Sequence, residues 1–199
     1  MLSAVRDHIF NKFSKQFWKY RNLFDKNWVN GYLSDEALNH PHRKMLLDTL
    51  EKYYPFETLL EIGCGPGPNL INIHRKWPEV ALCGQDMSRT ALESVRRNLP
   101  GKFEEIVAEP WLFDIVLTDA FLIYVSPKRF MDMSWRACKA LVMCEWHSDD
   151  GPFVDHGHFV HNYREHFPNA KITKIPESVW SGGGWGEYGS IIQVDMEKK

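Results

Sequence analysis

A glycine-rich turn follows a strongly apolar stretch of the chain, and it constrains the fold more than any other feature. The residues are Leu59–Leu60–Glu61–Ile62–Gly63–Cys64–Gly65–Pro66–Gly67, and a helical pattern follows from Asn69. A buried strand, a tight glycine turn and a helix in this order place backbone N–H groups and a helix N-terminus at the carboxyl edge of a sheet. The turn therefore predicts a site for the polar or anionic parts of a nucleotide-like ligand.

The spacing of the glycines distinguishes between two classes of ligand. The dinucleotide-binding fingerprint requires Gly-x-Gly-x-x-Gly, and Pro68 occupies the position of its third glycine. The turn instead reads Gly63-x-Gly65-x-Gly67, with Glu61 two residues before the first glycine. This pattern resembles motif I of the class I S-adenosylmethionine-dependent methyltransferases. The resemblance implies the cofactor S-adenosyl-L-methionine, with a methionine-binding set of Glu61, Gly63, Cys64, Gly65 and Gly67.

A second short apolar stretch, Pro78–Gly84, predicts another buried strand, and Asp86 follows it. Asp86 lies 19 residues beyond Gly67, close to the roughly 20-residue spacing at which an acid accepts hydrogen bonds from ribose hydroxyls. The alternative is that Asp86 only caps the following helix, a role that Ser88 also fills. In the resembled family the residue after this acid flanks the adenine, which implies Met87 as an apolar contact.

Apolar runs alternate with helical patterns along the chain, which predicts an α/β fold. Together with the resemblance, this implies a seven-stranded, mostly parallel, doubly wound sheet with helices on both faces and an antiparallel last strand. The predicted strands are Thr58–Ile62, Pro78–Gly84, Glu105–Ala108, Phe113–Thr118, Ala140–Cys144, Lys171–Ile175 and Ser190–Val194. The predicted helices cover about His42–Tyr53, Asn69–Trp77, Arg89–Asn98 and Lys128–Lys139. We expect a methyltransferase domain over residues 41–199, preceded by a helical cap or lid over residues 1–40.

The predicted cap contains a helical pattern from Ala4 to about Trp28, with apolar and aromatic residues on one face and basic residues on the other. The simpler interpretation is an amphipathic helix that covers the core. The alternative is a basic, aromatic lid over the substrate, with Trp28 and Tyr32 as candidate contacts.

Candidate catalytic residues follow the strands at the same carboxyl edge. Phe113–Leu117 resembles the strand-four signature of class I methyltransferases, and the residues after it face the methyl group in that fold. The resemblance makes Asp119 and Tyr124 candidates near the reacting centre, although Asp119 can also be a simple strand-end cap. His147 follows the fifth strand and is a candidate general base, since imidazole takes up protons near neutral pH; a surface or core-edge histidine is the alternative. Glu109 corresponds to the acid that accepts from the adenine amino group in the family.

The stretch from His156 to His166 is rich in histidine. On a helix, His158 and His161 share a face, so metal ligation is conceivable. The spacing matches no recognised metal motif, and we expect no metal. Solvated histidines are the preferred interpretation, and a substrate-side helix with His158, His161 and Tyr163 is the next alternative.

Composition limits the classes of substrate and the cellular compartment that we expect. The net charge is −2 and the sequence pI is about 6.5, so no overall positive field attracts nucleic acid. No apolar run reaches the length of a membrane span. The four cysteines form no Cys-x-x-Cys pair, which is typical of reduced thiols in a cytoplasmic protein.

The sequence also lacks the Asn/Asp-Pro-Pro-Tyr/Phe motif with which related enzymes methylate the amines of DNA bases. We therefore expect methyl transfer to a hydroxyl or amine of a small molecule or sugar-like metabolite. The alternatives are a non-catalytic nucleotide-binding or regulatory module and a nicotinamide-dependent oxidoreductase, which Pro68 disfavours.

Overall fold

A seven-stranded sheet forms the centre of the fold in the computed structural model, which describes residues 16–105, 112–131 and 137–196. Its strands are β1 (Thr58–Ile62), β2 (Ala81–Gln85), β3 (Phe103–Glu105), β4 (Phe113–Asp119), β5 (Ala137–Trp146), β8 (Lys171–Lys174) and β9 (Gly189–Asp195). Between β5 and β8 in the chain, β6 (Phe153–Asp155) and β7 (His158–Val160) form a separate hairpin. The spatial order is β3-β2-β1-β4-β5-β9-β8, and β9 is antiparallel to both of its neighbours. The predicted mostly parallel sheet with an antiparallel last strand is confirmed.

The order of the strands reverses at the centre of the sheet. β1 pairs in parallel with β2 on one side and with β4 on the other. Leu59, Leu60, Val116 and Leu117 are buried on the two faces of these central strands, the pattern of a parallel sheet covered by helices on both sides. In such sheets, ligands bind in the crevice outside the carboxyl ends of the strands, at the point where the strand order reverses.

Helices connect these strands and precede the first one. They are α1 (residues 16–24), α2 (Trp28–Tyr32), α3 (Asp35–Leu38), α4 (Pro41–Glu51), α5 (Pro68–Lys76), α6 (Arg89–Asn98), α7 (Pro127–Met131), α8 (Tyr163–His166) and α9 (Trp185–Tyr188), with a 3₁₀ turn at Leu122–Tyr124. Pro68 stands at the start of α5, where its missing N–H costs no helical hydrogen bond. Trp28 and Val29 of α2 pack on Ala91 of α6, so α2 lies against the helix that follows β2. Among the described helices, none combines the length and apolar character needed to cross a membrane.

The predicted helix over Lys128–Lys139 was wrong at its C-terminal end. Residues 137–139 belong to β5, a strand of ten residues. β5 pairs with β4 from Ala137 onwards and with β9 from Ala140. Pairing with β4 at Ala137 extends the strand against the local helical pattern, since tertiary context overrides propensity. Residues 132–136 lie outside the described part of the chain.

The substrate-side helix given as an alternative for the histidine-rich stretch was also wrong. His158 lies in β7, and His156 and Gly157 form the two-residue turn between β6 and β7. Both turn residues have positive φ, at 44° and 74°, which matches the twist of a tight hairpin. Only Tyr163–His166 is helical, so His158 and His161 do not share a helix face.

Two further predictions fall partly outside the described residues. The predicted third strand, Glu105–Ala108, overlaps the observed β3 only at Glu105, because residues 106–111 are not described. The predicted N-terminal helix is described only from residue 16, and it is helical over residues 16–24.

Candidate functional site

The glycine-rich turn connects β1 to α5 and closes onto the end of β2. The N–H groups of Gly63 and Cys64 both donate to the carbonyl oxygen of Gln85, at 2.7 and 3.1 Å. Gly67, the N-cap of α5, has a φ of 87°, and a Cβ built on it would lie 2.9 Å from Cγ2 of Val95. Only glycine combines this left-handed conformation with so close an approach between α5 and α6. The turn therefore has a fixed position at the carboxyl edge of the sheet.

Asp86 contacts the same turn. Its Oδ2 accepts the N–H of Gly65 at 2.9 Å, and its Oδ1 accepts the N–H of Ser88 at 2.7 Å. Burial raises the pKa of Asp86 above its ordinary value, and the backbone N–H donors oppose this shift. Ser88 in turn caps α6 by accepting the N–H of Ala91. The structure thus brings together the glycine turn and the acid that the sequence predicted to act at one site.

A cleft with a volume of about 440 Å³ lies over this edge of the sheet. The turn and the residues around the end of β2 contribute Gly63, Gly65, Gln85, Asp86 and Met87. The helices α1 and α2 contribute Trp18, Trp28 and Tyr32, and the end of β4 with the segment after it contributes Asp119, Phe121 and Tyr124. A Cβ built on Gly65 meets nothing within 4 Å, so the space over this part of the turn is open. The volume is in the range of pockets that hold cofactors and other small organic ligands.

Asp119 ends β4 in a cluster of donors that the sequence analysis did not identify. Its Oδ2 accepts from Nη1 of Arg43 at 3.0 Å and from Nδ2 of Asn69 at 2.9 Å. Nε2 of His42 lies 3.2 Å from the same oxygen. Burial alone would raise the pKa of Asp119, but the nearby His42 and Arg43 lower it below its ordinary value. The carboxylate in the wall of the cleft is therefore ionised.

Asn69 also joins Asp119 to Glu61. The amide Nδ2 of Asn69 donates to Oε1 of Glu61 at 2.7 Å as well as to Asp119. Burial raises the pKa of Glu61 to about 8, and the hydrogen bond from Asn69 opposes this rise. Oε2 of Glu61 is buried and has no hydrogen-bond partner among the described residues. Such an unfilled acceptor is costly unless a ligand or a proton satisfies it.

Glu145, at the end of β5, fixes the segment that carries Phe121 and Tyr124. Its Oε1 accepts the N–H of Phe121 and its Oε2 accepts the N–H of Leu122, both at 3.0 Å. The side chain is fully buried, and this burial raises its pKa to about 8. The role of Glu145 depends on backbone N–H groups of a distant segment, and the local sequence pattern does not reveal such contacts.

The other predicted site residues lie in different places. Tyr124 lines the cleft, and burial raises its pKa to about 12. Met87 also lines the cleft and is 44% exposed. Cys64 is buried and is not among the described residues of the cleft wall. Glu109 lies outside the described residues.

His147 is separated from this group. It is not among the described lining residues of the cleft. Its Nε2 lies 3.3 Å from Oδ1 of Asp149, and its Nδ1 lies 3.2 Å from the carbonyl oxygen of His161. Both ring nitrogens are thus engaged away from the cleft.

The histidine-rich stretch contacts the cleft only indirectly. The ring of His158 packs between Tyr124 and Trp146, at centroid distances of 5.0 and 5.1 Å. Asp155, His156 and Glu187 have potential ligand atoms within 4.8 Å of one another, on the hairpin and α9.

Comparisons with known proteins agree with this architecture. No protein-family model matches the chain, and no curated protein matches it. The solved structure of the plantazolicin methyltransferase BpumL in complex with S-adenosylhomocysteine is similar with a TM-score of 0.65 and 12% identity, over 99% of both chains.

Two further structures are similar at comparable identity. Magnesium protoporphyrin IX methyltransferase (ChlM) from Synechocystis PCC 6803, with bound S-adenosylhomocysteine, has a TM-score of 0.66 and 10% identity, over 94% of this chain and 99% of ChlM. The S-adenosylmethionine-dependent methyltransferase SibL has a TM-score of 0.57 and 16% identity over 81% of this chain, which spans 57% of the SibL chain. The chain therefore has the fold of the class I S-adenosylmethionine-dependent methyltransferases.

Proposed function

We propose that this protein is an S-adenosyl-L-methionine-dependent methyltransferase that acts on a small molecule. The main support is the direct hydrogen bond between Gly65 and Asp86, which joins the two predicted ligand-binding elements in the wall of one cleft. Similar structures that contain S-adenosylhomocysteine support the choice of cofactor.

The residues of the cleft fit this cofactor. The open space over Gly65 admits the methionine portion against the backbone of the turn. Each carboxylate oxygen of Asp86 has one backbone donor, which leaves acceptor capacity for ribose hydroxyls. Met87 offers an exposed apolar surface for the adenine. The ionised Asp119, with the unfilled oxygen of Glu61 beyond Asn69, suits the ammonium group.

When bound, the cofactor supplies an electrophilic methyl group on a sulfonium. The chain's own contribution is then to hold the methyl acceptor in line with this group and to exclude water. Asp119 has a lowered pKa and is a poor proton acceptor, so we assign it to the ammonium and not to general-base catalysis. Tyr124, with a pKa of about 12, keeps its proton near neutral pH and can donate a hydrogen bond to the acceptor. His147 receives no role in this proposal.

We further propose that residues 1–40 form a cap on a methyltransferase domain of residues 41–199. Trp18, Trp28 and Tyr32 of the cap line the cleft, which supports a cover over the substrate. The four cysteines are all free thiols, in keeping with the proposed cytoplasmic location.

Calorimetry with S-adenosylhomocysteine tests the cofactor site. We expect saturable binding to the wild-type protein and at least tenfold weaker binding to Asp86→Ala, because the variant loses the ribose acceptor and the bond to Gly65. Glu93→Ala, which removes an exposed carboxylate from α6, is the matched control and should bind like wild type. Equal affinity of Asp86→Ala and wild type would remove Asp86 from the site.

A second measurement distinguishes an enzyme from a binding module. The protein is incubated with methyl-labelled S-adenosylmethionine and a cell extract. A methyltransferase transfers label to an extract component beyond that seen in extract without the protein, whereas a non-catalytic binder adds none.

A further inference from the structure

The part of the cleft formed by the N-terminal helices and the segment after β4 is lined by aromatic rings. The rings of Trp18 and Tyr124 lie edge-to-face with centroids 5.4 Å apart. Trp28 contacts Trp18 at 6.4 Å and Tyr32 at 5.9 Å in the same manner. We call these four side chains the aromatic wall. Such a surface favours a flat, apolar ligand, because a flat ring system buries apolar surface against the side chains and also makes ring–ring contacts.

The aromatic wall already contacts a cation of its own chain. The guanidinium carbon of Arg21 lies 4.7 Å from the ring centre of Trp18, 5.0 Å from that of Trp28 and 5.4 Å from that of Tyr32. These are favourable cation–π distances. A cationic ligand at the wall would have to compete with Arg21 for the rings and would be repelled by its charge. The wall is therefore poorly suited to an ammonium or guanidinium substrate.

A second cation, the exposed Arg129 of α7, also lines the cleft. The two acids of the cleft, Asp86 and Asp119, are assigned to the ribose and the ammonium of the cofactor under the proposed function. The charge that remains to interact with a second ligand, the methyl acceptor, is then positive and comes from Arg129 and the nearby Arg21. A cleft lined by one sign of charge raises the local concentration of the opposite sign. An anionic group on the second ligand fits this charge.

Trp28 offers a polar contact within the aromatic wall. The residue is only 3% exposed and lines the cleft. Its indole Nε1–H is buried and has no acceptor among the described residues. A buried donor without an acceptor costs about 1–3 kcal/mol, and most such donors in proteins are satisfied. An acceptor oxygen on the ligand would satisfy this one.

From these contacts we propose that the methyl acceptor is a flat, ring-containing molecule that carries a carboxylate or a comparable anionic group. Its rings pack on Trp18, Trp28 and Tyr124, an oxygen accepts from the indole of Trp28, and its anionic group lies towards Arg129. The inference rests on the proposed function, since it places the cofactor in the rest of the cleft.

Two probes of the same ring system test the inference. 6-Hydroxy-2-naphthoate is flat and anionic, and 2-naphthol is its neutral counterpart. Protein that is first shown to bind S-adenosylhomocysteine is saturated with it, and each probe is titrated by calorimetry. We expect the naphthoate to bind at least ten times more tightly than 2-naphthol.

Variants then assign this preference to residues. Arg129→Gln should abolish the preference for the naphthoate, whereas Arg75→Gln, at an exposed arginine of α5, should leave it unchanged. Trp28→Phe keeps a ring but removes the N–H, and it should weaken both probes severalfold. Trp18→Ala should weaken both probes further while S-adenosylhomocysteine still binds.

The inference is overturned if the naphthoate shows no saturable binding, if both probes bind equally, or if Arg129→Gln leaves the preference intact. In each of these cases, retained binding of S-adenosylhomocysteine leaves the proposed function standing. A protein that does not bind S-adenosylhomocysteine contradicts the proposed function and the inference together.

Discussion

The backbone N–H of Gly65 donates a hydrogen bond to Oδ2 of Asp86 at 2.9 Å, across 21 positions of the chain. The bond links the turn after β1 to the residue that follows β2. Since β1 and β2 are neighbouring parallel strands, their carboxyl ends lie at the same edge of the sheet. A substitution at Asp86 is therefore expected to disturb the glycine turn, and a substitution in the turn is expected to disturb Asp86. For this reason both ligand affinity and the free energy of unfolding should report on such substitutions.

The glycine at the start of α5 is expected to be irreplaceable for packing. Gly67→Ala should lower the free energy of unfolding by about 2–4 kcal/mol, from the left-handed conformation and from overpacking against Val95. Gly101→Ala is the control, because Gly101 also has positive φ but open space around its Cβ position; it should cost only about 1–2 kcal/mol. Urea denaturation measures both values. Equal losses would show that the contact with Val95 relaxes freely.

Arg43 is expected to be required for folding because its partner is buried. Arg43→Met should destabilise the protein by about 3–5 kcal/mol, since it leaves the charge of Asp119 without its cation. Lys44→Met, one residue along α4, breaks a highly exposed pair with Asp48 and should cost less than about 1 kcal/mol. Denaturant midpoints compare the two. A similar loss for both variants would contradict a structural role of the Arg43–Asp119 pair.

Binding of the cofactor product is expected to release a proton. Burial holds the pKa of Glu61 at about 8, so its carboxyl is largely protonated at pH 7. The ammonium group assigned to Asp119, with Glu61 beyond Asn69, favours the ionised form of Glu61. Titrations of S-adenosylhomocysteine at pH 7 in buffers of different ionisation enthalpy should therefore report proton release, and affinity should increase from pH 7 to pH 8. Glu61→Gln should remove the release; an unchanged proton count in this variant would exclude Glu61 as its source.

Stability is expected to fall as the pH rises towards 8. Glu61 and Glu145 both have folded-state pKa values of about 8, raised by burial from an ordinary value of 4.5. Between these two values the folded state binds more protons than the unfolded state, so the free energy of unfolding decreases with increasing pH. Below about pH 6.5 the histidines whose pKa values burial lowers, such as His161, act in the opposite direction. We therefore expect a loss of about 1 kcal/mol between pH 7 and pH 8.

The decrease in the free energy of unfolding with increasing pH should be smaller in Glu145→Gln, because the glutamine side chain cannot ionise. Glu104→Gln, at an exposed position of β3, should keep the wild-type slope. A flat profile between pH 7 and pH 8 in the wild-type protein would show that the buried carboxyls keep ordinary pKa values.

The sequence alone was sufficient to predict those elements that depend on the local pattern of residues. The apolar run before Gly63, the glycines and Asp86 predicted the strand, the turn and their proximity, because parallel strands end at a common edge. The cluster of His42, Arg43 and Asn69 around Asp119 was not predictable in the same way. Asn69 and Asp119 are 50 positions apart, and nothing in the local pattern shows that a charged side chain of α4 turns inward.

The errors in the second half of the chain have the same physical origin. The residues before Ala140 read locally as a helix, and pairing with β4 at Ala137 makes them part of β5. For the histidine-rich stretch the sequence did hold a signal, since Gly157 directly follows His156 at the centre of a two-residue turn. The helical spacing of the histidines competes with this turn signal, but the glycine turn determines the structure, and the stretch forms a hairpin.

The position of β9 has a consequence for synthesis of the protein. β9 follows every other described strand in the chain, yet it lies between β5 and β8. While the ribosome has not yet released residues 189–195, β5 has an open edge and β8 has no strand to pair with. Open edges of apolar strands are templates for aggregation. Nascent chains that stop before Gly189 should therefore depend on chaperones, and completion of the sheet should come only after translation of its final strand.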